Sequence, residues 1–198
     1  MMKHWYLFPV ILLMAACPQG FCQDDEALYR QGLAAAAADN PDFAFISFDT
    51  LVKTFPESPH RPDAFFAIAE YYSAQGAVKK SAAFFNQACL PAGQAGLPAG
   101  QAGLDTHKDF PGRLFAFARL YQFADPADNG SHRQEVRDKM LAGGSFSLLF
   151  RDYKELKFQS ALGNKYLARY FIDRIEFFVN GKPFVTIPLG AAEAKVDL

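Results

Sequence analysis

"EALYRQGLAAAAADNPDFAFISFDTLVKTFPESP" (Glu26–Pro59) decides how this chain folds. Its first part is rich in alanine, the strongest helix former, and predicts a helix from about Asp24 to Ala38. The turn "DNPD" then breaks it. Pro41 suits the first turn of a second helix, where no backbone N–H is needed, and Asn40 before it offers an N-cap oxygen. That helix is expected to reach about Thr54, where "FPESP" stops it.

The same arrangement recurs 37 positions later. Leu28 aligns with Phe65, Gly32 with Ala69, Ala35 with Tyr72, Ala44 with Ser81, Phe48 with Phe85 and Leu51 with Ala88. Small residues at 32, 69, 44 and 81 would let two helix backbones approach closely. Phe48 and Phe85 would fill the space toward the next helix. A third, weaker unit opens at "KDFPG", with a helix expected from about Pro111 to Phe123. "DPADNGS" makes the turn, and "HRQEVRDKMLA" is its partner helix, closed by Gly143 and Gly144. The polar surface of that last helix suits a cap at the end of a stack.

These positions resemble the tetratricopeptide family. "FPESPHRPDAFFAIAEYYSAQG" (55–76) is similar to the "YPxSPxxPxAxxxLAxxYxxxG" pattern of its periplasmic members, of the outer-membrane assembly lipoprotein and Tol-Pal cell-division coordinator type. The resemblance covers about Glu26–Gln122. It departs from the family at Gly93, where a proline is usual, and lacks the usual turn before the second helix of the second unit. It implies a mainly α fold: an antiparallel helix-pair (TPR-like) solenoid of about three units over 24–143. It also implies a concave groove lined by the first helix of each pair, with Tyr29, Tyr71, Tyr72 and Arg119 as candidate partner-binding residues. The expected role is protein–protein interaction in the bacterial cell envelope, in outer-membrane assembly or envelope maintenance, with other envelope proteins or peptides as partners.

After Gly144 alanine thins out and β-formers increase, so 145–198 is expected to be a small β-rich module. "RIEFFVNGKPFVTIPL" is the strongest strand signal. Two β-rich runs flank Asn180-Gly181, the preferred pair for a type I′ hairpin turn. Pro183 cannot donate a ladder hydrogen bond, so its strand should lie at an edge or be bulged there. "SFSLLFRDY" and "AKVDL" are further strand candidates, while "GNKYLARYFID" fits both helix and strand. The module would be a minimal sandwich or a sheet packed on the last helix. Its hairpin is faintly similar to strand pairs of immunoglobulin-like redox domains such as desulfoferrodoxin. However, Tyr170 stands where a His ligand is needed and no Cys follows. A second functional reading follows, of a helical adapter carrying a β-sandwich ligand-binding or redox-carrier tail.

The N-terminus carries a different signal. "MMKHWYLFPVILLMAAC" has a basic start at Lys3 and an apolar run from Trp5 to Ala16. About 12 residues is too short to span a bilayer but suits the core of a signal peptide, which sets 1–22 apart and implies export to the periplasm. "LMAAC" resembles a lipobox, which would make Cys17 the lipidated residue and anchor the protein to a membrane surface, the outer membrane being the expected one. Cleavage near "GFCQ" is the competing reading. Cys22 and Cys89 then either pair or leave Cys89 as a lone helix residue.

Little in the chain points to catalysis. The four histidines, His4, His60, His107 and His132, have no metal-ligand spacing, and "SPH" and "GSH" place Ser beside His only in sequence. No P-loop, GxSxG or CxxC occurs. The expectation is therefore no catalytic residue, no metal and no cofactor. A formal net charge of -1 gives no basic stripe for nucleic acid. The exact duplication "LPAGQAGLPAGQAG" (Leu90–Gly103) falls between the second and third units. Its glycines and prolines break helices and it holds little apolar surface, so it reads as a tolerated loop insertion.

Overall fold

The computed structural model describes residues 24–90, 110–124, 130–142 and 155–189. The expected signal segment with Cys17 and Cys22, the heptapeptides beyond Leu90, the strand candidates "SFSLLFRDY" and "AKVDL", and the Gly143-Gly144 stop lie outside the described residues.

Among those residues the chain forms six helices followed by four strands. The helices are α1 (Asp25–Ala37), α2 (Pro41–Thr54), α3 (Arg61–Ala74), α4 (Val78–Cys89), α5 (Gly112–Phe123) and α6 (Ser131–Leu141). Side-chain caps set the starts of α1 and α2. The Asp24 carboxylate accepts from the Ala27 N–H at 2.6 Å, and the Asn40 side chain accepts from the Phe43 N–H at 3.1 Å, with Pro41 opening α2. Each helix packs on the next in sequence, and α3 also touches α5.

Eleven of the twelve positions aligned by the 37-residue shift are buried, and the twelfth, Tyr72, is partly buried. Close approach is visible at Gly32, where an added Cβ would come within 2.5 Å of the Phe48 ring. At the equivalent place in the second unit the Ser81 hydroxyl, fully buried, donates to the Ala69 carbonyl at 2.8 Å. This satisfies the buried hydroxyl within its own helix pair.

The strands are β1 (Glu155–Gln159), β2 (Lys165–Tyr170), β3 (Arg174–Val179) and β4 (Lys182–Pro188), in an antiparallel sheet of order β1-β2-β3-β4. The β3–β4 hairpin turns at Asn180 (φ 49°) and Gly181 (φ 77°), the left-handed pair a type I′ turn requires. Pro183 sits on the edge strand β4, beside a bulge. Phe178 pairs with Pro183 and Phe177 with Val185, so Phe184 is the extra residue. "GNKYLARYFID" resolves to strand: Tyr166 and Ala168 alternate inward from β2.

Two expectations change. The sheet is a single layer among the described residues, not a sandwich, and it lies on α3 and α5 rather than on the last helix. The sequence of α6 explains this. "SHRQEVRDKML" buries only Val136 and Met140, too narrow an apolar face to hold a sheet. Helix α3 is the opposite: every residue from Ala64 to Glu70 is buried, so it is covered all round. One face receives α2 and α4. The other receives Phe158 and Tyr166 of the sheet, which meet Phe66 edge-on at 5.2 and 5.3 Å. Phe115 of α5 packs on Phe158, Tyr166 and Phe177. Helices and sheet thus share one hydrophobic core.

Candidate functional site

The four candidate groove residues fall into three separate neighbourhoods. Tyr29 on α1 stacks on His60, centroids 4.2 Å apart and rings 9° from parallel. His60 Nε2 lies 2.6 Å from the Glu26 carboxylate, and Asp63 meets the Tyr29 hydroxyl. Burial pushes the Asp63 carboxyl up to about 6, against the lowering effect of His60. Tyr71 donates to Asp42 at 2.7 Å and stacks on Phe45 at 4.5 Å, both on α2. Tyr72 stacks on Phe84 of α4 at 5.5 Å, with the Lys80 ammonium 5.2 Å above its ring. Arg119 turns to the sheet: its guanidinium lies 4.3 Å from the Phe184 ring centroid and 5.7 Å from that of Tyr166. Only Tyr71 and Tyr72 touch each other. The side of α3 and α5 that faces the sheet is already occupied by the chain itself.

Under the sheet lies a buried polar cluster that the sequence reading did not single out. Glu70 is 7% exposed. One of its oxygens accepts from the Tyr166 hydroxyl at 2.7 Å and from the Asn164 amide at 2.9 Å, while the other has no hydrogen-bond partner. Burial pushes this carboxyl up from its ordinary value, opposed by the nearby polar groups of Ser160, Tyr166 and Asn164 and by the charge of Arg119. Tyr166 is itself 2% exposed, so both ends of its hydrogen bond to Glu70 are buried. The cluster joins α3 to the β1–β2 hairpin. A single glutamate in the apolar run "AFFAIAEYY" was the available signal, because a carboxylate in a fully apolar helix needs a polar partner from elsewhere.

Ser58 and His60 do not form a nucleophile–base pair. The Ser58 hydroxyl accepts from the His60 backbone N–H at 3.2 Å, while the His60 ring is engaged by Glu26 and Tyr29. Among the described residues no group of His, Cys, Asp and Glu could hold a metal ion, and no helix is long and apolar enough to cross a membrane. Cys89 is free among them and buried, and burial pushes its thiol up, away from the reactive thiolate.

Concave surfaces are open at two places among the described residues. A cleft of about 390 Å³ separates α1 from the β1–β2 turn, between Tyr29, Leu33 and Ala36 on one side and Ser160, Ala161 and Leu162 on the other. A trough of about 530 Å³ lies along the sheet, lined by Lys157, Lys165, Leu167, Arg169 and Phe178 among others. Comparison with protein-family models, curated proteins and solved structures returns no match for this chain.

Proposed function

We propose that the chain is an exported, tetratricopeptide-like scaffold that holds other envelope proteins or peptides near a membrane. Its work is binding rather than catalysis. One observation carries the reading: the positions repeated at a 37-residue interval are those that pack the helices together, as repeat scaffolds require. The apolar N-terminal run supports export, and "LMAAC" supports an anchor at Cys17. The sheet is part of the scaffold, since it completes the core of α3 and α5. On the helices, one surface open to a partner is the cleft at Tyr29 and Leu33.

The test is affinity capture from detergent-solubilised membranes, with the native chain and a Leu33→Glu variant. Reproducible enrichment of the same envelope proteins, reduced by the variant, supports the scaffold. Equal background from both chains removes it. Mass spectrometry of the mature N-terminus checks the anchor. A diacyl or triacyl group on Cys17 supports it, and a start at Gln23 rules it out.

A further inference from the structure

The outward face of the sheet carries an arrangement that the packing of the core does not need. Alternate residues of a strand share a face and stand about 7 Å apart along it. On that face Leu167 has Lys165 and Arg169 as its neighbours along β2. Across the strands it faces Lys157 of β1 and Phe178 of β3. One apolar side chain is thus ringed by three cations and an aromatic ring, at the centre of the 530 Å³ trough. The face is charge-unbalanced. Glu155 pairs with Arg169 at 3.0 Å and Glu176 with Arg174 at 2.8 Å. Lys157 and Lys165 make no ion pair among the described residues. Arg169 also lies over the Phe178 ring at 5.3 Å, which holds its guanidinium at the trough.

We infer that this trough binds an extended acidic peptide segment of a partner protein, with carboxylates two residues either side of an apolar side chain. The spacing selects the ligand. In an extended segment alternate side chains also stand about 7 Å apart, so acid, apolar and acid can lie over Lys165, Leu167 and Arg169, with Lys157 beside them. A lipid headgroup places one anionic centre per molecule and would not use this linear spacing. Leu167 and Phe178 are only part-exposed and line a concavity, whereas insertion into a bilayer needs apolar side chains that project. Free lysines around a part-buried apolar centre give a charged rim for steering and an apolar contact for residence. The inference deepens the scaffold reading by naming the surface and the chemistry of its partner.

The experiment uses the purified full chain and a fluorescein-labelled peptide with Glu, Leu and Glu at alternate positions, read by anisotropy. The expected result is saturable binding that weakens about tenfold or more in the Lys157→Glu, Lys165→Glu double variant. It stays unchanged in Lys79→Glu, an exposed α4 lysine. The same peptide with Lys in place of Glu should bind at least tenfold more weakly. Melting curves establish that the double variant is folded; if it is not, Lys157→Gln alone is scored, with a two- to threefold loss expected. Equal affinity in all variants overturns the inference. So does binding to phosphatidylglycerol vesicles in the absence of peptide binding. If the double variant still enriches the same envelope proteins from membranes, the scaffold stands and this surface fails.

Discussion

At the scale of single residues, Glu70 and Gly32 show opposite ways in which one side chain controls the core. Glu70 keeps a partly satisfied carboxyl in a small polar cluster enclosed by the apolar core. Replacing it by Ala strips Tyr166 and Asn164 of their acceptor, and should cost about 2–3 kcal/mol in chemical denaturation. Glu70→Gln keeps the accepting oxygen and removes the ionisable proton, so at neutral pH it should be tolerated far better. Asp63 makes the pH dependence testable. Its folded-state value, about 6, lies above the ordinary 3.8. The proton is therefore bound more tightly in the folded state, and the stability this confers is full below about 4 and lost as pH rises through 6. Asp63→Asn should accordingly gain stability relative to the native chain between pH 4 and pH 7, measured as a difference in urea midpoints. A constant difference across that range would contradict the assignment. At Gly32 the limit is steric: Phe48 is fully buried and cannot retreat from an added methyl. Gly32→Ala should cost about 1–3 kcal/mol despite its better helix propensity, and pairing it with Phe48→Leu should recover part of that loss.

Individual elements differ in how openly their sequence announces them. Helices α1 and α2 were legible from Asp24, Asn40 and Pro41, because caps and proline act within one turn. The 37-residue shift found the packing positions because helix pairing needs small residues opposite large ones. The β3–β4 hairpin was legible from Asn180-Gly181, and Pro183 foretold an edge strand with its bulge. Strand β1 was not read from "ELKFQ", whose lysine and glutamate hide its only inward pair, Leu156 and Phe158. The placement of the sheet was missed too, although α3 offered a clue. A helix with an unbroken apolar run, Ala64–Ala69, has more face to bury than two neighbours can cover. The candidate groove residues followed the family pattern, which carries no information about a sheet lying on the same helices. At the hairpin, Gly181 holds φ 77°, where a Cβ is strained. Gly181→Ala should cost about 1–2 kcal/mol, visible as a lowered melting temperature. Gly181→Asn should cost less, because asparagine tolerates that conformation.

For the molecule as a whole, the shared core predicts cooperative behaviour. Phe66 and Phe115 are fully buried and both lie against Phe158 and Tyr166. Helices and sheet should therefore unfold in one transition, with calorimetric and van't Hoff enthalpies in agreement. A chain cut at Gly144 should fail to fold to a sharp melting state, because two aromatic faces would meet water. Two well-separated transitions would show instead that the sheet is an independent module. Removal of Leu90–Gly103 should act differently. It leaves Leu104 to follow Cys89 and shortens a connection whose closure entropy changes only by tenths of a kcal/mol. A loss above about 1 kcal/mol would show that the duplicated segment contributes to the fold.

The contact of Phe158 with both Phe66 and Phe115 also bears on how this architecture can evolve. Repeat proteins commonly change length by copying a whole unit. A unit inserted between α4 and α5 would push α5 away from α3, and a single phenylalanine could no longer touch both. The sheet therefore acts as a gauge on the number of helices it spans. Seven-residue additions between α4 and α5 bring no further helix pair and leave that gauge unread, which makes the joint permissive to small duplications and closed to large ones.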